Sequence, residues 1–267
     1  MDEKIEIPDL PLAKVDKILN DTECPNVSII MPCYKRREFL PLILTNIICM
    51  DYPKSKIELC ILQDGSDDLF QGEELEYFRQ QTNVRVNYKY EKDIRRSIGD
   101  KRNRLVKMAS HKIIASMDSD DIYLPTYLRY SVSALKEYKA GITSSASMLF
   151  LYPKKDYLLT GIRCGYKHQG HEACCVFTKK HFNSMGGFIS KGEKGNQGEG
   201  VKMIQFNEKN MVNLDVGRLM ICVCHDNNTI NKDRFMEAKM NGEVKDLPHM
   251  DILKGIFNQN QLQSDLS

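Results

Sequence analysis

Hydrophobic side chains gather in four short runs in the first half of the chain, Val27–Met31, Ile57–Leu62, Val84–Tyr90 and Ile113–Met117, each closed by turn-forming or charged residues. Apolar runs of about four to eight residues bounded in this way predict buried strands. Between them the spacing changes. Phe39, Leu42, Ile43, Ile47 and Met50 recur at helical intervals within Glu38–Met50, and Leu105, Val106 and Ala109 do so within Gly99–Ser110. Strand and helix alternate, and strands that are apolar on both faces need cover on both. The pattern therefore predicts a single α/β domain with a mainly parallel sheet and helices on either side.

Beyond Pro125 the spacing predicts a helix over Thr126–Tyr138 and one Ser- and Thr-rich strand over Gly141–Leu151. Periodicity weakens after Tyr152. Gly186-Gly187 and the glycine-rich, charged run Lys191–Gly200 are expected to form a mobile lid, and Met203–Cys224 two short strands. The polar segment Lys232–Ser267 reads as a surface helix or as partly disordered chain. The expected organisation is an extension over residues 1–25, a domain over 26–230 in two halves (26–125 and 126–230), and a polar tail or helix over 231–267.

Composition narrows the function classes. The 267 residues are 42% hydrophobic, enough for a substantial core, and 38 Lys and Arg against 36 Asp and Glu leave a formal charge of +2. No global field recruits nucleic acid or an anionic membrane. The first residues, MDEKIEIPDLPLAKV, lack the basic-then-apolar order of a secretory signal. The longest apolar stretch, Leu40–Met50, falls short of the roughly 20 residues of a membrane span. A soluble, cytoplasmic protein without a transmembrane segment is expected. Nine cysteines, several of them (Cys33, Cys49, Cys60) inside apolar runs, point to reduced and mostly buried thiols.

In doubly wound folds ligands sit beyond the carboxyl ends of the strands. Here those ends carry Pro32-Cys33-Tyr34, Gln63–Asp68 (QDGSDD) and Asp118-Ser119-Asp120-Asp121. Three carboxylates leaving one buried strand repel one another, and a hard divalent cation, Mg²⁺ or Mn²⁺, is the natural compensator. The plainer alternative is a capped turn, with Asp120 or Asp121 at the start of the next helix. Asp64 is placed to accept hydrogen bonds from a base or ribose, although Asp-Gly and Ser-Asp also make ordinary turns. The basic run Arg95–Arg104 opens a helix and suits phosphate, or is a solvated helix face. His225 in CHDNN is a candidate metal ligand or a structural histidine. The spacings of Cys174-Cys175 and Cys222-x-Cys224 differ from a four-ligand zinc site.

Taken in order, VSIIMPCYKR, LCILQDGSDD, GDKRNRLVKMA before MDSDDIYLP, MGGF and CHDNNT resemble the inverting nucleotide-sugar glycosyltransferases of the GT-A fold, the large family two and its relatives, from Val27 to about Asn228. The resemblance implies a GT-A, Rossmann-like fold, with residues 26–125 as its nucleotide-binding half and 126–230 as its acceptor-binding half, and a metal-dependent transfer from a nucleotide-sugar donor, most commonly a UDP-sugar, to a hydroxyl of a glycan or other acceptor. It implies that Pro32 and Tyr34 line the nucleotide pocket, that Asp64 contacts the base, and that Lys101 and Arg102 lie near base or diphosphate. Asp118 and Asp120 form the Asp-x-Asp element that holds ribose and Mn²⁺ or Mg²⁺, with Asp121 a further ligand candidate and His225 a third metal or phosphate contact. A Glu-Asp pair after Gly-Gly-Phe supplies the family's base. Here Gly186-Gly187-Phe188 is followed by Gly198-Glu199-Gly200, so the second acid is missing. Glu199 is the candidate base, with Glu193 in the same loop, and His168, His171 and Glu172 are acceptor-side candidates. The departure leaves a non-catalytic nucleotide-sugar or carbohydrate-binding protein of the same fold as the alternative. A pyrophosphorylase is disfavoured because PCYKRREF has no glycine for a phosphate loop, and an aspartyl-phosphate phosphatase because DSDDI lacks the Thr of its motif.

Overall fold

Strand β1 (Val27–Cys33) and strand β2 (Ile57–Gly65) are buried on both faces, and each sends alternate side chains into two separate cores. The computed structural model that shows this describes residues 11–163, 170–195, 198–204, 211–228, 232–238 and 247–264. Ile29, Met31, Leu59 and Ile61 enter one core, and Ile30, Cys60 and Leu62 the other. The period of two along each strand is the reason, since successive residues of a strand face opposite sides of the sheet.

Helices α1 (Leu40–Cys49) and α2 (Glu74–Thr82) follow β1 and β2, and strand β3 (Arg85–Lys92) completes the parallel run β1-β2-β3. Helix α3 (Ile98–Met108) covers the opposite face with Leu105 and Val106 and leads to strand β4 (Ile113–Ser116), which pairs parallel with the other side of β1. Its start is set by Ser97, whose hydroxyl accepts from the Asp100 amide at 3.2 Å. The chain thus runs outward from β1 in one direction and then returns to its other flank. This reversal between β1 and β4 opens a crevice at their carboxyl ends.

Strand β5 (Ile122–Tyr123), helix α4 (Tyr127–Glu137) and strands β6 (Ile142–Ser144), β7 (Ser147–Tyr152) and β8 (Leu158–Arg163) follow, then strand β9 (Val176–Thr178), helix α5 (Lys179–Met185) and the short helix α6 (Val201–Ile204). Strands β10 (Met211–Asn213) and β11 (Met220–Val223) and helix α7 (His249–Ser264) end the described chain. The main sheet has the order β10-β6-β9-β4-β1-β2-β3, with β9 antiparallel to β4 and β6 and every other pairing parallel. A second sheet has the order β5-β11-β7-β8.

The expected α/β class with a mainly parallel sheet and helices on both faces is the observed one. The single strand expected over Gly141–Leu151 is instead two strands in different sheets. Ser144 and Ser145 are fully buried, and the Ala146 amide is held by Asn213 Oδ1 at 2.8 Å, which turns the chain from one sheet to the other. Helix α7 lies wholly within the polar segment Lys232–Ser267, expected as a surface helix or as partly disordered chain. Its Leu253 and Ile256 are buried in one cluster with Phe39, Leu42 and Val223 while Asp251 and Lys254 face solvent, so the segment is a surface helix packed on one face. Eight cysteines are described and all are free; Cys164 lies outside the described residues. Among the described residues no helix is long and apolar enough to cross a membrane.

Candidate functional site

The acidic turn after β4 is built by two buried side chains from its neighbours. Asn46 on α1 donates to the Asp121 carbonyl at 2.9 Å and accepts from the Tyr123 amide at 2.8 Å. The Tyr123 hydroxyl accepts from the Asp118 amide at 2.7 Å and donates to the Ala173 carbonyl at 2.8 Å. One phenol therefore fixes both the acidic turn and the 3₁₀ turn Glu172–Cys174. Leaving any of these groups unpaired in a dry site would cost about 1–3 kcal/mol each, so the geometry is tightly specified.

Each carboxylate of the turn has a different partner. Asp118 Oδ1 accepts from Arg102 Nη2 at 2.7 Å. Asp120 Oδ2 accepts from Arg36 Nε at 2.9 Å and lies 3.1 Å from His225 Nε2. Burial alone would raise the Asp120 carboxyl, but His225 and Arg36 hold it well below the usual carboxylate range. Asp121 Oδ1 accepts from the Val223 amide at 2.9 Å, and burial lifts that carboxyl to about 7 against the opposing Lys232 ammonium. The His225 ring packs 4.8 Å from the Phe39 ring, and its amide is capped by Asn228 Oδ1 at 2.7 Å.

A cavity of about 330 Å³ occupies the crevice between β1 and β4, walled by Tyr34, Arg36, Arg95, Lys101, Asp118 and Asp120 with Pro32 at its base. The Arg95 guanidinium stacks 3.4 Å from the centroid of the Tyr34 ring. Lys101 donates to the Cys33 carbonyl at 2.9 Å and to Asp64 Oδ1 at 2.8 Å, and burial lowers its pKa. Asp64 is fully buried and does not reach the wall. Its second oxygen accepts from the Arg96 amide at 2.7 Å, so it orders Lys101 and the turn before α3, and a base reaches it only if Arg95 and Lys101 move.

A smaller cavity of about 160 Å³ adjoins the first across Ile98, Asp118 and Asp120 and is walled on its far side by Arg102, His171, Glu172 and Glu199. Arg102, 2% exposed, joins the two: besides Asp118 it donates from Nε to Glu199 Oε1 at 3.0 Å. Its Nη1 is buried without a hydrogen-bond partner. Next to it Asn103 holds the Gly-Gly-Phe element, donating to the Phe188 carbonyl at 2.8 Å and accepting from its amide at 2.9 Å. The loop expected to be a lid is tied to α3, with Ser97 Oγ donating to the Ser190 carbonyl at 2.8 Å and the Ile189 amide to the Glu199 carbonyl at 2.8 Å. Burial raises Glu172 to about 7, with the charge of Glu199 adding to it, and lowers His171 to about 3.

Of the residues expected from the sequence, Pro32, Tyr34, Lys101, Asp118 and Asp120 meet in the larger cavity, Arg102, His171, Glu172 and Glu199 in the smaller, and His225 against Asp120. His168 lies outside the described residues, and so does part of the loop that carries Glu193. Sequence reasoning missed Arg36, Lys232 and the two organisers Asn46 and Tyr123. Arg36 stands in the motif VSIIMPCYKR, and its charge two residues after Tyr34 was the available signal. Asn46 carried none, since a polar residue inside an apolar helical run reads as an ordinary exception.

Asp120 and His225, at hydrogen-bond distance from each other, are the two side chains that could hold a cation here. Two ligand atoms at right angles on a cation with bonds of about 2.1 Å stand about 3.0 Å apart, close to the 3.1 Å between Asp120 Oδ2 and His225 Nε2. Arg36 would have to release the shared oxygen. Among the described residues no three His, Cys, Asp or Glu side chains stand together as a complete metal site. Any cation there takes its remaining ligands from water and substrate, as Mg²⁺ commonly does.

A doubly wound sheet with its cavity at the reversal between β1 and β4, closed on one side by an antiparallel strand, defines the GT-A class of fold. Residues 28–186, more than half of the chain, match the family described as Glycosyl transferase family 2, and the chain belongs to that family. A search of curated protein sequences finds no match. Among solved structures, the chain resembles the mannosyltransferase PcManGT from Pyrobaculum calidifontis in complex with GDP-Man and Mn²⁺, at 18% identity and a TM-score of 0.51, over 77% of this chain and 58% of that one. It also resembles TarS residues 1–349 from S. aureus in complex with UDP-GlcNAc, at 14% identity and a TM-score of 0.57, over 80% of this chain and 61% of that one. The chain spans about three fifths of the length of these structures.

Proposed function

We propose that the protein transfers a sugar from a nucleoside-diphosphate sugar to a hydroxyl of a glycan or other acceptor, with inversion at the anomeric carbon and with the help of Mn²⁺ or Mg²⁺. The observation that carries this reading is the pairing of Asp120 and His225 at 3.1 Å on the rim of a cavity whose walls also present Arg36, Arg95 and Lys101. A diphosphate placed there meets three cations and a helix N-terminus, and Tyr34 offers an aromatic face to a base once Arg95 swings aside. Asp120 and His225 would hold the cation, which when bound neutralises charge on the leaving diphosphate.

The chain's own groups account for the rest. Asp118 stands between the two cavities, where a ribose and the donor sugar would follow the diphosphate, and Arg102 holds its carboxylate in place there. The acceptor hydroxyl then enters the smaller cavity, where Glu199 and Glu172 are the carboxylates on the far wall. A UDP-sugar is the first donor to test, and the GDP-Man bound by one structural neighbour and the UDP-GlcNAc bound by another make both bases part of the screen.

The test is a thermal-shift screen of the purified protein against UDP, GDP and their sugars with Mn²⁺, Mg²⁺ or EDTA. Binding to the native state alone raises the melting temperature, by about 2.7 kcal/mol of stability at a hundredfold excess over Kd. A shift that needs metal and is lost in Asp120→Ala is expected. No shift with any nucleotide would remove the basis of the reading, and binding without any turnover would favour a non-catalytic binding protein.

A further inference from the structure

We infer that Glu172, and not the loop residue Glu199, is the general base that takes the proton from the acceptor hydroxyl, occupying space that Gly200 leaves free. The inference rests on the glycosyltransferase reading above and concerns which carboxylate serves it.

The central observation is steric. A Cβ added at Gly200 would lie 2.2 Å from Glu172 Cγ and 3.2 Å from its Cδ. The stem of Glu172 thus fills the place where a side chain at position 200 would begin, and it brings a carboxylate there from a different segment of the chain. Both Glu172 and Glu199 wall the smaller cavity, which adjoins the donor cavity across Asp118 and Asp120.

The other carboxylates near this cavity are committed. Glu199 is 5% exposed and its Oε1 accepts from Arg102. Asp118 is paired to the same guanidinium, and Asp121 is 4% exposed and holds the Val223 amide. Glu172 is part-buried, and its carboxylate is engaged by its own backbone amide and, among the described residues, by no side-chain donor. Its position is nonetheless fixed. The turn Glu172–Cys174 is pinned at Ala173 by the Tyr123 hydroxyl, and at His171 by Ser144, which accepts from the amide at 2.8 Å and donates to the carbonyl at 2.9 Å. A base held by packed elements within reach of the donor is what proton abstraction requires. Burial and the nearby Glu199 also raise Glu172 to about 7, which suits proton uptake near neutral pH.

The step balances without further reagents. The acceptor O–H proton passes to the Glu172 carboxylate, and the acceptor oxygen forms a bond to the anomeric carbon. The bond from that carbon to the diphosphate oxygen breaks, and the pair of electrons leaves with the nucleoside diphosphate. Glu172 then returns the proton to solvent.

The experiment reads donor affinity by calorimetry with Mn²⁺, then release of UDP or GDP from UDP-GlcNAc, UDP-glucose and GDP-Man into water, so that no particular acceptor is needed. Glu172→Gln is expected to bind donor like wild type and to lose about 100-fold or more in kcat. Glu199→Gln, which weakens the hold on Arg102, should lose some kcat but clearly less than Glu172→Gln, so the comparison of the two reads which carboxylate takes the proton. The double variant Glu172→Ala, Gly200→Asp removes the clashing stem and restores a carboxylate at the same place, and should regain about tenfold or more over Glu172→Ala alone. Failure of every donor to bind would sink the glycosyltransferase reading itself. With donor bound, a Glu172→Gln enzyme that turns over normally, a wild type that never releases nucleotide into water, or a double variant no better than Glu172→Ala overturns the assignment of Glu172.

Discussion

Arg36 donates from Nε to Asp120 Oδ2 at 2.9 Å, the same oxygen that faces His225. A protein cation thus sits on the carboxylate best placed to take a divalent one, and either can neutralise it. Removing the guanidinium should separate the two roles. Arg36→Met is expected to bind Mn²⁺ more tightly in the absence of nucleotide, by about tenfold for a competing contact of roughly 1.4 kcal/mol, while binding nucleoside diphosphates more weakly. Titration of Mn²⁺ by electron paramagnetic resonance checks the first half, and unchanged affinity would mean that Arg36 does not compete.

The ion pair of Arg102 with Glu199 is almost wholly out of water, with side chains 2% and 7% exposed, whereas the Asp118 side chain keeps an edge toward solvent at 28% exposed. Breaking a buried pair by removing one partner costs about 3–5 kcal/mol because the remaining charge stays buried. Arg102→Met is therefore expected to lower unfolding free energy by about 3 kcal/mol or more in urea denaturation. A loss below about 1 kcal/mol, the size typical of surface pairs, would show that Asp118 and Glu199 find water instead.

Glu172 gives stability an unusual pH dependence. Its carboxyl is raised by burial from 4.5 to about 7, so the native state binds its proton more tightly than the unfolded chain does. That stabilisation is complete below the unfolded value and disappears as pH rises through the folded one. Glu172→Gln should match wild type at pH 4.5 and exceed it at pH 8 by on the order of 2 kcal/mol, a few degrees in melting temperature. Equal melting temperatures at pH 8, measured without nucleotide or metal, would place the Glu172 carboxylate in solvent.

Gly99 lies on α3 where the loop Ile189–Glu199 docks. A Cβ there would stand 1.8 Å from the Ile189 carbonyl oxygen and 2.8 Å from its carbon, both backbone atoms. Alanine gains up to about 1 kcal/mol of helix propensity over glycine, but the contact forces the loop away. Gly99→Ala is expected to lose about 1–3 kcal/mol net, as overpacked cores do, and to raise proteolytic nicking between Ile189 and Glu199. A variant as stable as wild type would show that the loop shifts at no cost.

Much of this architecture was legible because its signals are local. The four apolar runs specify β1 to β4 through burial on both faces, and the acidic turn announces itself as charge at a strand end. The break between β6 and β7 was hidden because Ser144 and Ser145 read as strand-compatible residues, while the turn depends on Asn213, far along the chain. For helix α7 the polar composition leaves helix and disordered chain both open, because its apolar contact rests on few residues, Leu253 and Ile256 foremost. In the site, motif residues were found and their partners were not. The bonds of Asp64 to Lys101 and of Asp118 to Arg102 join segments that only folding brings together.

The missing Cβ at Gly200 also bears on how such a chain can change over time. With the stem of Glu172 in place, an aspartate cannot be introduced at position 200 without collision, and with an aspartate in place Glu172 cannot enter. The exchange of carboxylates between the two segments has a required order, in which the occupant must shrink before its replacement grows. With Glu172 shortened and position 200 still glycine the place holds neither acid, so the exchange has to pass through a state without this carboxylate.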